Sequence, residues 1–271
     1  MASSLLPLVI EPDALEETID NNEIIVVDLS RAPVYKRNHI PSAIHFDYSQ
    51  IVASKSPVMG LLPTEEILGN VLSSAGISTD SHIVAYDDEG GGKACRLLWT
   101  LDVCGHSQFS LLNGGLQAWV NENHRVSNEL EEPSQSNYKV TYSDKHKADK
   151  AYILTKLSNP GTVLLDARSI REYDGSDKRA HRGGHIPGAV NLEWSKLIDQ
   201  TNNLRLKSSD EIMAQLAALD ITPDKEVITY CHSHHRSAHS YIALKHLGFN
   251  KIKGYPGSWS DWGNDPETPI E

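Results

Sequence analysis

Cysteine is scarce in this chain: three in 271 residues, Cys95, Cys104 and Cys231. They have neither the paired spacing of a zinc site nor the close-set even pattern of a disulfide-stapled domain. So few thiols suit a reducing compartment. Long apolar runs are also missing, so no membrane-spanning helix is expected. The leading residues, Met1–Pro12, have no basic stretch ahead of their short apolar run and do not read as a secretory signal. A cytoplasmic location with no membrane partner is therefore expected. Cations are outnumbered, with 25 Lys and Arg against 36 Asp and Glu, a net charge of −11. That balance argues against nucleic acid as a partner held by a global basic field. It leaves a small anionic substrate open, because a site makes its own local field. The remaining composition, 39% hydrophobic and 23% charged, is that of a globular protein with enough apolar residues for one large core or two modest ones.

What is present is a repeat. Ile24–Asp28 is matched by Val163–Asp166, and His39-Ile40-Pro41-Ser42-Ala43 by His185-Ile186-Pro187-Gly188-Ala189. Further on, Ile83–Asp87 is matched by Val227–Cys231, and Asn113-Gly114-Gly115 with Trp119 by Pro256-Gly257-Ser258 with Trp262. Four matches in one order and at nearly one spacing mean two copies of a single unit. We expect one copy over residues 1–125, a linker over 126–148 around the polar run Glu131–Ser136, and a second copy over 149–271. Within each copy, short Ile/Val/Leu runs alternate with amphipathic helical patterns. Ser208 and Glu211 form a capping-box pattern ahead of Ile212 and Leu216. A later helix is expected from about Arg236 to Leu247, with Ala238, Tyr241, Ile242 and Leu247 as its apolar stripe and Gly248 just past its end. Such alternation implies an α/β fold, a mostly parallel sheet with helices on both faces in each copy. Ligands then bind beyond the carboxyl ends of the strands.

The chemistry lies where a strand meets a loop. Val227–Tyr230 reads as a strand, Cys231 follows it, His232-Ser233-His234-His235 form a loop, and Arg236-Ser237 open a helix. A tight loop feeding a helix turns backbone N–H groups inward as a nest for an anion. The helix dipole adds positive potential there, and Arg236 adds a full charge. These terms lower a thiol from its usual pKa of roughly 8.5. Cys231 as a small buried hydrophobe is the competing reading, but such a residue needs no polar loop and arginine after it. The first copy has Asp87 at the matching position, followed by Asp88-Glu89-Gly90-Gly91-Gly92. Asp87 cannot perform thiol chemistry, so that copy is expected to be inactive.

These residues resemble the rhodanese family of sulfurtransferases over nearly the whole chain. Both His-Ile-Pro-x-Ala segments match its amino-terminal motif, Cys231–Arg236 its active loop, and Gly254–Trp259 its carboxyl-terminal motif. The Cys-x-x-His-His-Arg loop is similar to that of bacterial two-domain thiosulfate sulfurtransferases. The resemblance implies two tandem rhodanese-like domains and a persulfide on Cys231 loaded from thiosulfate and discharged to cyanide or a small thiol. It implies substrate contacts from Arg236, His232, Ser233, His234, His235 and Ser237, and a place for Trp194 at the pocket. It calls for no cofactor, and a monomer is expected. The vertebrate enzymes carry basic residues where this chain has His232 and Ser233, leaving Arg236 as the loop's one permanent charge. The Gly-Ser-Gly loop of mercaptopyruvate enzymes is absent.

The other polar residues have simpler readings. His232, His234, His235 and His239 cluster, with His235 and His239 four apart as metal ligands often are. A bound metal would consume the nucleophile, so no metal is expected. Asp166 and Arg168 are expected to form a buried ion pair, with Asp28 and Arg31 as a looser counterpart. His185, like its twin His39, reads as structural, and Cys95 and Cys104 as core. Gly90-Gly91-Gly92 lacks the Lys-Ser/Thr ending of a phosphate loop. Two rival functions remain. Cysteine phosphatases and arsenate reductases share the Cys-loop-Arg plan, but the phosphatases have five residues between Cys and Arg where this chain has four. A persulfide carrier or redox module needs the same Cys231.

Overall fold

The computed structural model describes residues 4–271; the first three residues of the leading segment discussed above lie outside them. The β-branched runs form two main sheets, and every strand pairing in both is parallel. The first is ordered Val9–Ile10, Phe109–Leu112, His82–Tyr86, Ile24–Asp28, Ile44–His45, and the second Ile252–Gly254, Glu226–Tyr230, Thr162–Asp166, Val190–Asn191. The order is the same in both, with the fifth strand of the second sheet reduced to a single bridge between Lys147 and Gly254. Register repeats too: Asp28 lies opposite Tyr86, and Asp166 opposite Tyr230. All of His82–Tyr86 and the last four residues of Glu226–Tyr230 are buried. Successive strand residues point to opposite faces, so both faces are covered, as a parallel sheet requires.

Each unit has its own core. Ile10, Leu15, Val26, Val84, Tyr86, Leu116 and Trp119 pack together in the first. Ile153, Leu164, Ile228, Tyr230, Tyr255, Trp259 and Trp262 do so in the second. The units do not follow the sequence halves. The first comprises the described residues up to Val52, with Pro63–Ser143 and Asp199–Leu206; the second comprises Ala53–Leu62, Asp144–Ile198 and Lys207–Glu271. Each therefore contains a short segment that the sequence assigns to the other repeat. The polar run Glu131–Ser136 has no regular secondary structure, yet it leads into chain fastened to the first unit. The Ser136 N–H donates to the Ser73 carbonyl at 2.9 Å, and the Tyr138 N–H to the Ser73 hydroxyl at 2.8 Å. No helix among the described residues is long and apolar enough to cross a membrane.

Local expectations fare unevenly. Ser208 and Glu211 form the capping box before the helix Ser209–Ala218. The helix Arg236–His246 is not amphipathic as expected: every residue from Ser237 to Leu244 is buried. Its small residues Ser237, Ala238, Ser240 and Ala243 let neighbouring chain close on it from all sides, while Leu247, expected in the stripe, lies past its end and is only half-buried. Asp166 and Arg168 do pair, through Nε at 2.9 and 3.0 Å and Nη2 at 2.5 Å, both side chains being essentially buried. The guanidinium also donates to the Gly184 carbonyl and lies over Trp259, 4.5 Å from the ring centre. The counterpart pair is absent. Arg31 is turned to Asp88 at 2.7 Å, and buried Asp28 instead accepts from the Tyr86 hydroxyl and the Ser30 N–H, each at 2.6 Å. Arg31 lies three residues from its aspartate, one more than Arg168, and its side chain is 72% exposed.

Removing one partner of a buried ion pair strands the other charge. Arg168→Ala is expected to cost about 3–5 kcal/mol, read as a lower urea midpoint. Replacing both Asp166 and Arg168 by apolar residues should cost less than the single change.

Candidate active site

The strand Glu226–Tyr230 ends at Cys231, and the helix Arg236–His246 begins five residues later. The carboxyl-terminal segment holds the base of the loop between them. The Cys231 carbonyl accepts from the Trp259 N–H at 2.9 Å, and the His232 carbonyl from the Ser260 N–H at 3.0 Å. The Cys231 N–H donates to the Ser258 hydroxyl at 3.2 Å, which itself donates to the Tyr255 carbonyl. Ser258 sits at a φ of 49°, where the first unit has Gly115 at 53°. A left-handed backbone is costly for serine, and here its side chain serves Cys231.

The first unit shows what such a loop holds. Asp87 Oδ1 accepts the N–H groups of Glu89 and Gly91 at 2.9 and 2.8 Å, and Oδ2 those of Lys93 and Ala94 at 2.8 and 3.0 Å. Four backbone donors converge on one buried carboxylate, two, four, six and seven residues beyond it. Counted from Cys231, the same offsets fall on Ser233, His235, Ser237 and Ala238. The N–H groups of Ser233 and Ser237 and the Ser237 hydroxyl all hydrogen-bond Cys231. The first loop turns through Gly90 and Gly91 at φ of 91° and 93°. The second turns through His234 at 52°, a buried residue whose Nδ1 lies 2.7 Å from the Ser237 hydroxyl.

Burial alone would raise the Cys231 thiol, but the Arg236 charge, the Ser237 hydroxyl and the Ser237 and Ser233 N–H groups outweigh it and hold the thiol below its ordinary value. Burial pushes the other two thiols up, Cys95 well above the ordinary range and Cys104 to about 12. Burial also lowers His232, and takes His239 to about 4, so neither adds positive charge at neutral pH. Trp194 is half-buried beside the loop, its ring 6.2 Å from His235 and edge-on to His239 at 5.4 Å. Among the described residues, no group of three or more His, Cys, Asp or Glu is arranged to hold a metal. His185 and His39 each stack on a tyrosine and bond its carbonyl, Tyr173 and Tyr35, as structural histidines.

Sequence reasoning missed Glu172. Arg236 is not a free cation: its Nη1 and Nη2 bind the Glu172 carboxylate at 2.6 and 2.8 Å, and Glu172 is 2% exposed. Burial would raise Glu172, but Arg236 draws it down to about 2. A capping box with Ser169 fixes the carboxylate from the other side. The signal was present in the sequence, since Ser169 and Glu172 have the spacing of Ser208 and Glu211.

The family model of the Rhodanese-like domain matches residues 11–122 and 149–265. A thiosulfate sulfurtransferase of Azotobacter vinelandii is 42% identical over 98% of this chain and 97% of its own, and one of Pseudomonas aeruginosa is 41% identical over the same shares. The crystal structure of SseA from Escherichia coli, described by the rhodanese fold and catalytic mechanism of 3-mercaptopyruvate sulfotransferases, superposes with a TM-score of 0.84. It is 26% identical and covers 94% of this chain and 99% of that one.

Titrated by its ultraviolet thiolate absorbance, Cys231 should ionise below the ordinary cysteine range while Cys95 and Cys104 stay protonated. Arg236→Ala should move the Cys231 midpoint upward, because it removes a cation and strands the Glu172 anion.

Proposed function

The chain belongs to the rhodanese family, its domain present twice, and from that premise we propose that it is a sulfurtransferase moving the sulfane sulfur of thiosulfate through Cys231 to cyanide or a small thiol. The observation that carries this reading is the set of donors on Cys231, the Ser233 and Ser237 N–H groups and the Ser237 hydroxyl, at the loop position where the first copy holds the Asp87 carboxylate. A site that binds a carboxylate in one copy suits a thiolate, and then a persulfide anion, in the other.

In the first step the Cys231 thiolate attacks the outer sulfur of thiosulfate. A bond forms between the two sulfurs, the bond to the sulfonate sulfur breaks, and sulfite leaves with that electron pair. In the second, cyanide or a thiolate attacks the terminal persulfide sulfur and expels the Cys231 thiolate, giving thiocyanate or a new persulfide. Charge and electrons balance in both, and no external oxidant is used. One difficult transfer becomes two easier ones. The N–H groups of Ser233 and Ser237 and the Ser237 hydroxyl hold the negative charge at whichever sulfur bears it. Arg236 acts here through its field, since its fork is filled by Glu172. His232, His234 and Trp194 shape the approach to a cysteine only 1% exposed, which favours small donors and acceptors.

Thiosulfate as donor is supported by the two relatives more than 40% identical and by the missing Gly-Ser-Gly loop. Residues 149–271 are proposed as the active copy, 1–125 as the inactive one and 126–148 as the linker. A reducing cytoplasm suits three free thiols, and the reading needs only one chain per active site.

The test is intact mass after thiosulfate and again after cyanide. A gain of one sulfur mapped to Cys231, lost with cyanide, is expected, and Cys231→Ser should abolish turnover. Undiminished turnover in the serine variant would sink the mechanism.

A further inference from the structure

The catalytic loop belongs to the second repeat, yet the compact unit around it includes ten residues of the first, Ala53–Leu62. These contain the antiparallel hairpin formed by Ala53–Lys55 and Val58–Leu61. Its second strand packs against the helix Ser258–Trp262. The Met59 N–H donates to the Ser260 hydroxyl at 2.8 Å, and that hydroxyl lies 3.3 Å from the Met59 carbonyl. Ser260 in turn gives its own N–H to the His232 carbonyl in the loop.

The tightest approach is at Gly60. It is buried and has a φ of 73°, a conformation that favours glycine. A Cβ there would collide with the backbone of Ser233: the Ser233 carbonyl carbon would lie at 2.6 Å and its Cα at 2.8 Å, with the carbonyl oxygen closer still. The obstacle is main chain on both sides, so no side-chain rotation relieves it. Ser233 is two residues beyond Cys231 and supplies one of the N–H groups that hold the sulfur. The hairpin is thus a wall against which one edge of the donor ring is set.

We propose that Gly60 is a positioning residue for the Cys231 loop, and that the first repeat, though it has no thiol at its own strand end, completes the active site of the second by lending it the hairpin Ala53–Leu61. This rests on Cys231 being the nucleophile. A side chain at position 60 displaces Ser233, moves its N–H off the sulfur and leaves the thiolate less stable. A misplacement of about 1 Å costs on the order of a hundredfold in a preorganised site, so even partial accommodation should be measurable.

The experiment uses the full chain and reads two quantities, the Cys231 thiolate midpoint by absorbance and the rate of sulfur transfer. Gly60→Ala should raise the midpoint and lower kcat/KM at least about tenfold, with circular dichroism unchanged. Lys36→Ala, an exposed change on the helix Ala32–Arg37 of the same repeat, should leave both as they are. Ser260→Ala removes the hairpin's anchor without introducing a clash. It should act in the same direction as Gly60→Ala by a smaller factor, and it decides the matter if Gly60→Ala does not fold. A folded Gly60→Ala protein with an unmoved thiolate midpoint overturns the proposal, as does an unmoved midpoint in Ser260→Ala where the glycine variant is lost. The midpoint does not depend on sulfur transfer, so failure of the persulfide mechanism would show instead as absent loading by thiosulfate.

Discussion

Everything at this site follows from one constraint: backbone N–H groups that converge on a buried point must meet an acceptor there. A buried donor left without one costs about 1–3 kcal/mol, and the first unit brings four to a single place. The turn from strand to helix creates this convergence because it leaves the helix's first N–H groups without intrahelical partners. The residue at the strand end must therefore offer acceptor lone pairs, and an anion is the strongest acceptor. Asp87 meets the requirement with its two carboxyl oxygens, although burial and Glu89 raise it above its ordinary value against the pull of those N–H groups. Cys231 meets it as a thiolate, which the Arg236 charge, the Ser237 hydroxyl and the Ser237 and Ser233 N–H groups together favour.

The same demand explains how charge is arranged around the sulfur. A free arginine beside a persulfide would be a strong and unselective attractor of anions. Here Arg236 is held by a carboxylate that is itself fixed by a capping box. The pair still lowers the thiol through the guanidinium charge of Arg236, but it presents less net charge to solvent. Burial keeps His232 and His239 neutral. Local dipoles and one paired cation thus support the thiolate in a chain of net charge −11.

What the sequence disclosed, and what it did not, divides along physical lines. The strands were legible because buried parallel strands read as unbroken apolar runs. The site was legible because repetition aligned Cys231 with Asp87. Alignment could not reveal that Arg31 would turn to Asp88 rather than Asp28, since a long exposed side chain chooses among carboxylates in space. Nor could an apolar stripe anticipate a helix buried from Ser237 to Leu244, because small polar residues look like a solvent face until neighbouring chain closes over them. Glu172 carried a readable capping signal, whereas its pairing with Arg236, 64 residues away, did not. Gly60 carried no signal at all: its importance lies in what touches it.

The exchange of segments gives the duplication a physical logic. The first unit takes Asp199–Leu206 from the second repeat. There Arg205 binds Glu122 at 2.5 and 2.8 Å and Glu11 at 2.8 Å, and the Leu206 N–H donates to Asn113. Gly114 faces the Asn203 carbonyl, which a Cβ would approach to 2.7 Å. Each repeat thus supplies a segment to the other's compact unit, and glycine marks a close backbone approach in both. Substituting Asp87 for a cysteine changes one side chain in a nest that a carboxylate fills equally well, and the fold tolerates it. Deleting the repeat that carries Asp87 would remove Ala53–Leu62 from the unit that carries Cys231. On the proposal above, a copy without a thiol still serves its twin, because the acceptor in the nest is local to one loop and the wall behind that loop is not.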